Sequence, residues 1–337
     1  MLDPPPPDPI PAAALPPTFR PARMAANPHV QTLAGRFLRP DPRTATRRER
    51  WDTPDGDFLD LDIAPPPHPD APVCLILHGL EGNSDRRYVR CAVDALTRRG
   101  LGVVAMNFRS CSGEPNRRAR SYHSGETGDL RFVVARLAAR HPEAPLAALG
   151  FSLGGNVLLK YLAEEGYATP VSAAAVISVP FDLAAGAALL ERTRMGRIYT
   201  RYFLRSLIAK VEEKVHLVSE SVDLERIRAA SSIREFDDAF TAPLHGFRDA
   251  LHYYAESSSG PRLPEVRIPT LVVHAQDDPF LPFDAVPVRA LRDNPILHPV
   301  LTRRGGHVGF LRGTLQRPGV WAEEAAARFL DVILSDP

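Results

Sequence analysis

Short apolar runs alternate with amphipathic stretches along most of this chain. Val73–Leu77, Gly102–Met106, Ala144–Leu149, Val171–Val179, Thr270–His274 and Ile296–Leu301 each have the length and composition of a buried strand. Between and after them, apolar residues recur every three to four positions, as on one face of a helix. Examples are Val89/Val93/Leu96, Leu130/Val133/Val134/Leu137, Val157/Leu158/Tyr161/Leu162 and Trp321/Ala325/Phe329/Val332. Arg47–Trp51 and Asp57–Ile63 flank Thr53-Pro54-Asp55-Gly56, which predicts a hairpin at a sheet edge. Such alternation predicts an α/β fold, a mostly parallel central sheet with helices on both faces. From about residue 182 to 259 the strand signals stop, and the helical pattern there predicts a cap inserted over the sheet. Residues 1–45 form a proline-rich tail and lead-in, and residues 46–337 form the folded domain.

Met1–Pro17 lacks the basic start and apolar core of a signal peptide and reads as a flexible or polyproline-like tail. The longest apolar stretch, Ala173–Leu190, is broken by Pro180 and Asp182, so no transmembrane segment is expected. The 41 basic residues nearly balance the 40 acidic ones, which leaves no positive excess for a nucleic-acid partner. Cys74, Cys91 and Cys111 are too few for a disulfide framework and have no metal-ligand spacing. Buried thiols in a reducing, cytoplasmic compartment are the expectation.

The chemistry concentrates at Gly150-Phe151-Ser152-Leu153-Gly154, between a strand signal and a helix signal. A serine on such a turn is held above the sheet edge as a nucleophile, and Leu153 N–H falls at the helix start, where an oxyanion can be held. A serine hydroxyl needs a base oriented by a carboxylate, and on such a sheet both follow the serine in sequence. His307, in Gly305-Gly306-His307-Val308-Gly309, is the base candidate, while His274 and His298 fall inside strand signals. Asp278 follows the Val272–Ala275 run and is the preferred acid, with Asp182 as its rival. The loop His78-Gly79-Leu80-Glu81-Gly82 should supply Leu80 N–H as second oxyanion donor, with His78 shaping the loop. No cofactor or metal is called for.

These residues resemble the YheT-like α/β-hydrolases, related to eukaryotic membrane-anchored α/β-hydrolase-domain lipases. The resemblance is carried by Asn27–Leu33, His78–Gly82, Asn107–Asn116, Tyr122–Thr127, Gly150–Leu162, Arg234–Asp238, Thr241–Gly246, Asp277–Phe280 and Gly305–Leu311. It implies an α/β-hydrolase fold with a helical cap and hydrolysis of short- to medium-chain acyl esters. It also places nucleophile, acid and base on Ser152, Asp278 and His307. Ser110 departs from the pattern, since glycine is expected before Cys111-Ser112-Gly113. The same residues would also serve an acyltransferase, or a binding protein that retains the fold.

Met195, Ile198, Tyr199, Tyr202, Phe203, Leu207 and Val211 form an apolar stripe opposed by Arg194, Arg197, Arg201, Arg205 and Lys210. A cap helix packed on its own domain is the simpler reading, with transient lipid-surface contact or guidance of an acyl chain as alternatives. Tyr122–Thr127 reads as a helix start, and Glu235, Asp237 and Asp238 as solvated or helix-capping groups.

Overall fold

The computed structural model describes residues 10–22, 26–314 and 316–335. Eight of the described strands form one sheet: β1 (Arg47–Asp52), β2 (Phe58–Ala64), β3 (Val73–Leu77), β4 (Gly102–Met106), β5 (Leu146–Phe151), β6 (Val171–Ile177), β7 (Thr270–Ala275) and β8 (Leu297–Thr302). Their spatial order is β1-β2-β4-β3-β5-β6-β7-β8. The β1–β2 hairpin and its junction with β4 are antiparallel, and every later pairing is parallel. A two-stranded ribbon, β9 (Leu311–Gly313) with β10 (Pro318–Val320), precedes the last helix.

Side chains that alternate along each strand feed two cores, one on each face of the sheet. Leu75, Leu77, Val104, Met106 and Ala148 pack under α3 (Gly128–Arg140) and α4 (Leu153–Glu165), which contribute Val133, Leu137, Val157 and Leu158. Their neighbours Cys74, Ile76, Val103, Ala105 and Leu149 pack under α2 (Arg87–Thr97) and α13 (Trp321–Ser335), which contribute Val93, Leu96, Ala326 and Phe329. Both strand faces are therefore apolar, which is why these segments read as continuous runs.

α1 (Pro28–Leu38) was not anticipated by periodicity, although its start follows the ordinary rule. The Asn27 side chain accepts from the His29 and Val30 N–H groups, and Pro28 occupies the first turn. Where it is described, the expected tail is tied to the domain. Residues 1–9 lie outside the described set, whereas Ala14 and Phe19 are buried in the second core and Trp321 Nε1–H donates to Pro17 O at 3.0 Å. The insertion between β6 and β7 is helical, comprising α5 (Leu183–Arg192), α6 (Arg194–Glu213), α7 (Val215–Val218), α8 (Leu224–Ala229), α9 (Ile233–Phe236), α10 (Ala242–Leu244) and α11 (Ala250–Ser257). A π-helical turn, Asp237–Thr241, separates α9 from α10. α12 (Val288–Asp293) leads into β8.

Arg109 ties the edge hairpin to the rest of the domain. Its guanidinium is almost fully buried and grips Asp129 of α3 through two 2.7 Å bonds. It also reaches Asp55 at 2.9 Å and Asp57 at 3.0 Å in and beside the hairpin turn. Removing one partner of a buried ionic cluster costs about 3–5 kcal/mol, because the remaining charges stay desolvated. Arg109→Met should therefore lower unfolding stability by about that amount, read from the urea midpoint. A change below about 1 kcal/mol would mean that the three carboxylates are already solvated.

Candidate active site

β5 runs straight into α4 with one residue between them, Ser152, at φ 51° and ψ −119°. Non-glycine residues rarely take positive φ, and the turn directs the hydroxyl out of the sheet plane. Neighbouring glycines make room for it: a Cβ on Gly154 would lie 2.5 Å from His78 O, and one on Gly79 would lie 3.1 Å from the Ser152 Cβ. Ser152 N–H donates to Ile177 O at 2.8 Å, pinning the turn to the neighbouring strand.

Three residues predicted from separate loops meet here. His307 Nε2 lies 2.9 Å from Ser152 Oγ, and His307 Nδ1 lies 2.8 Å from Asp278 Oδ2. Asp278 is buried just past β7, and its other oxygen accepts from Phe280 N–H. The Phe280 ring stacks on His307 at 4.4 Å. The rival acid, Asp182, is exposed and instead caps α5 by accepting from Ala185 N–H. His307 N–H donates to Thr32 Oγ1 of α1, and Val308 N–H to Ser178 Oγ. Neither hydroxyl was singled out from sequence, and the Asn27-Pro28 helix start was the signal that could have drawn attention to Thr32. Asp277, beside the acid, accepts from Gly306 N–H and so fixes the histidine loop.

The loop His78–Gly82, the candidate oxyanion site, is held by its own backbone. Gly79 O accepts from Gly82 N–H at 2.9 Å and lies 2.8 Å from His78 Nδ1. His78 Nε2 accepts from Phe108 N–H, so Nδ1 carries the proton, and burial pushes this histidine down to about 4. With that carbonyl directed into the loop, the opposite side of the same trans peptide carries Leu80 N–H. Gly79 N–H and Glu81 N–H are taken by the hydroxyls of Tyr88 and Tyr122, while Leu80 N–H has no acceptor among the described residues. Leu153, as the first residue of α4, likewise has no intrahelical acceptor for its N–H. Glu81, itself at φ 53°, is buried and ties the loop to the cap through Lys210 Nζ at 2.8 Å and Ser206 Oγ.

A cavity of about 350 Å³ opens over Ser152. Leu183, Leu190, Phe203, Leu207, Val211 and Phe240 make its cap side apolar. The α6 stripe is thus largely turned inward, with Tyr199 and Val211 buried. Asp237 departs from its expected solvated or capping role: it is buried on the cavity wall, bonded to Thr241 and Tyr254 hydroxyls, and burial pushes it up to about 6. Glu235 and Asp238 do cap, accepting from Ser231 and Ala250 N–H groups. Glu126, near the start of α3, accepts from Gly128 N–H. Ser110 takes φ 59°, the conformation that favours glycine, and its hydroxyl compensates by accepting from Asn116 N–H. No cluster of three or more His, Cys, Asp or Glu side chains suited to a metal occurs among the described residues.

Residues 72–313 match the alpha/beta hydrolase fold family. YheT of Escherichia coli, which carries an esterase name, is 40% identical over 320 residues, 94% of each chain. Phospholipase ABHD3 of Mus musculus is 34% identical over 311 residues, 90% of this chain and 76% of that one. The solved 2,6-dihydroxy-pseudo-oxynicotine hydrolase superposes with a TM-score of 0.56 at 17% identity, covering 91% of this chain and 72% of that one, a likeness of fold.

Buried histidines give this fold an acid-side weakness. His78, His245 and His274 are pushed down to about 4 and His123 to about 3, in each case chiefly by burial. Unfolded, each takes its proton near pH 6.5, so between about 6.5 and 4 the unfolded chain binds more protons and stability falls as pH falls. Each contributes up to about 1.4 kcal/mol per pH unit inside that window. Asp237, protonated up to about 6 in the fold, opposes them, as do Asp277 and Glu323, which burial also raises, while burial lowers His141 and His298 and so adds two more groups to the histidine side. The urea midpoint should therefore drop clearly between about pH 7 and pH 5. An unchanged midpoint would show that these rings are solvated.

Proposed function

This chain belongs to the YheT-like α/β-hydrolases, and we propose that it cleaves carboxylic esters through an acyl-enzyme on Ser152. The observation that carries this reading is the continuous hydrogen-bonded line from Asp278 through His307 to Ser152 Oγ, at the mouth of an apolar cavity.

Asp278 accepts the Nδ1 proton of His307 and thereby fixes the tautomer whose Nε2 lone pair faces the serine. His307 takes the hydroxyl proton as Ser152 Oγ attacks the acyl carbonyl. The oxyanion of the tetrahedral intermediate is held by Leu80 and Leu153 N–H, both free to donate and both fixed before substrate arrives. The imidazolium then protonates the leaving alcohol. Water enters, gives a proton to His307 and attacks the acyl carbon; as this second tetrahedral intermediate collapses, His307 returns that proton to Ser152 Oγ and the acid leaves. Every step uses groups of this chain. The apolar wall of Phe203, Leu207 and Val211 accommodates the acyl chain, and the cavity's size fits esters of short to medium length.

Turnover of p-nitrophenyl esters tests the assignment. Ser152→Ala should lower kcat by about a millionfold and Asp278→Asn by about ten-thousandfold, both folding normally. Asp182→Asn should cost far less than Asp278→Asn. A loss of only a few-fold at Ser152, or exchanged phenotypes for the two aspartates, would overturn the roles of these residues.

The acyl wall makes a second prediction. Phe203→Ala or Leu207→Ala should shift preference along an ester series of increasing chain length, since each methylene in an apolar pocket is worth about 1–3 kcal/mol in kcat/KM. A profile parallel to wild type would remove α6 from the acyl site.

A further inference from the structure

Besides Leu15, Tyr167 and Leu251, the large apolar side chains left in solvent among the described residues lie on two helices. Val30, Leu33 and Phe37 of α1 are exposed, Phe37 by 68%, and their spacing of three and four places them on one helical face. Ile198 and Tyr202 of α6 are exposed as well, one turn apart. The two helices lie side by side. His29 Nδ1 is 3.1 Å from Tyr199 Oη, and Arg36 donates to Tyr202 Oη at 2.7 Å while its guanidinium covers the Tyr202 ring. The five residues therefore flank one seam, and that seam borders the cavity, because Thr32, Gly35 and Arg36 of α1 and Tyr202 and Phe203 of α6 line it together with Ser152.

The charge beside the seam is of one sign. Arg194, Arg201 and Arg205 share the outer stripe of α6 with Ile198 and Tyr202, and Arg197 is adjacent. All four arginines are exposed, and none forms an ion pair among the described residues. Some surface arginines elsewhere are paired, such as Arg131 with Glu164 and Glu165, and others among the described residues, such as Arg303 and Arg304, are not, but α6 carries four unpaired ones on a single helix. A solvated face has no need to set unpaired arginines among exposed Phe, Leu, Ile and Val. An apolar stripe bordered by basic residues is instead what sits at a lipid–water boundary, with the hydrocarbon side chains below the headgroups and the guanidinium groups among anionic ones.

We propose that α1 and the outer face of α6 form a docking surface for an anionic lipid–water interface, which places the cavity mouth against it. The occupant is lipid, because a second copy of this chain would bring the same positive charges together. The cap stripe read from sequence supplies only half of this surface, and α1 supplies the other half. Docking requires no turnover, so it stands or falls separately from the chemistry at Ser152.

The test is co-sedimentation of the full chain with vesicles of phosphatidylcholine alone and with an equal part of phosphatidylglycerol. The wild-type protein should bind the phosphatidylglycerol vesicles, with affinity declining as salt rises. Leu33→Ser with Phe37→Ser should weaken binding about tenfold or more, since two apolar side chains no longer leave water. Arg197→Glu with Arg201→Glu should weaken binding to the anionic vesicles by a similar factor of about ten or more. None of the four positions lines the cavity, so hydrolysis of a soluble short-chain ester should be unchanged and would report that the variants are folded. Three outcomes would overturn the proposal. The wild-type protein could fail to sediment with anionic vesicles, either variant could bind as wild type does, or wild type could be a dimer in solution that Leu33→Ser with Phe37→Ser dissociates, which would make a second copy the occupant.

Discussion

Ser152 is held at φ 51° in a region that costs a non-glycine residue about 1–3 kcal/mol, and the surrounding sequence is arranged to keep it there. The strain is offset by what flanks it: a strand buried on both faces ends one residue before, and a helix buried along most of its length starts one residue after. Because β5 is packed on both faces and shares one of those cores with α4, the serine cannot relax without disturbing that packing. The close approach this demands explains the small residues at Gly79 and Gly154, and it brings the His78–Gly82 loop beside Ser152. Relieving the strain would move the hydroxyl away from His307.

The remaining parts arrive by the logic of a parallel sheet, whose strands all end on the same side. β3, β5, β7 and β8 deliver the His78–Gly82 loop, Ser152, Asp278 and the approach to His307 to that side, although these residues span more than two hundred positions in the chain. This is why so much of the site was legible in the sequence. A buried parallel strand is an unbroken apolar run, so its end can be located to within a residue or two, and Asp278 and Ser152 each follow such a run directly. The choice between Asp278 and Asp182 was harder. Both follow strands, and only the packing reveals that Asp182 spends its carboxylate on capping α5.

What escaped the sequence reading depends on contacts between distant segments. Thr32 supports the backbone of His307 across 275 positions, and the Asn27-Pro28 helix start marks the helix that carries it but not that use. Asp237 looked solvated because charge runs usually are, yet two hydroxyls and an apolar cap make it a wall of the cavity. Glu81 appeared to be one residue of a glycine-rich loop. In the fold its buried carboxylate joins Tyr122, Ser206 and Lys210, so this loop and the cap are parts of one polar network. The proline-rich start similarly hides two apolar anchors, Ala14 and Phe19, that are too few to give a periodic signal.

In the proposed reaction the acyl group passes through Ser152. Rapid acid quench of the protein during turnover of a p-nitrophenyl ester, followed by peptide mapping by mass spectrometry, tests it most directly. An acyl adduct should form on the peptide containing Ser152, appearing with a burst of p-nitrophenolate close to one equivalent per chain. Steady turnover with no adduct, or an adduct on another residue, would contradict the claim.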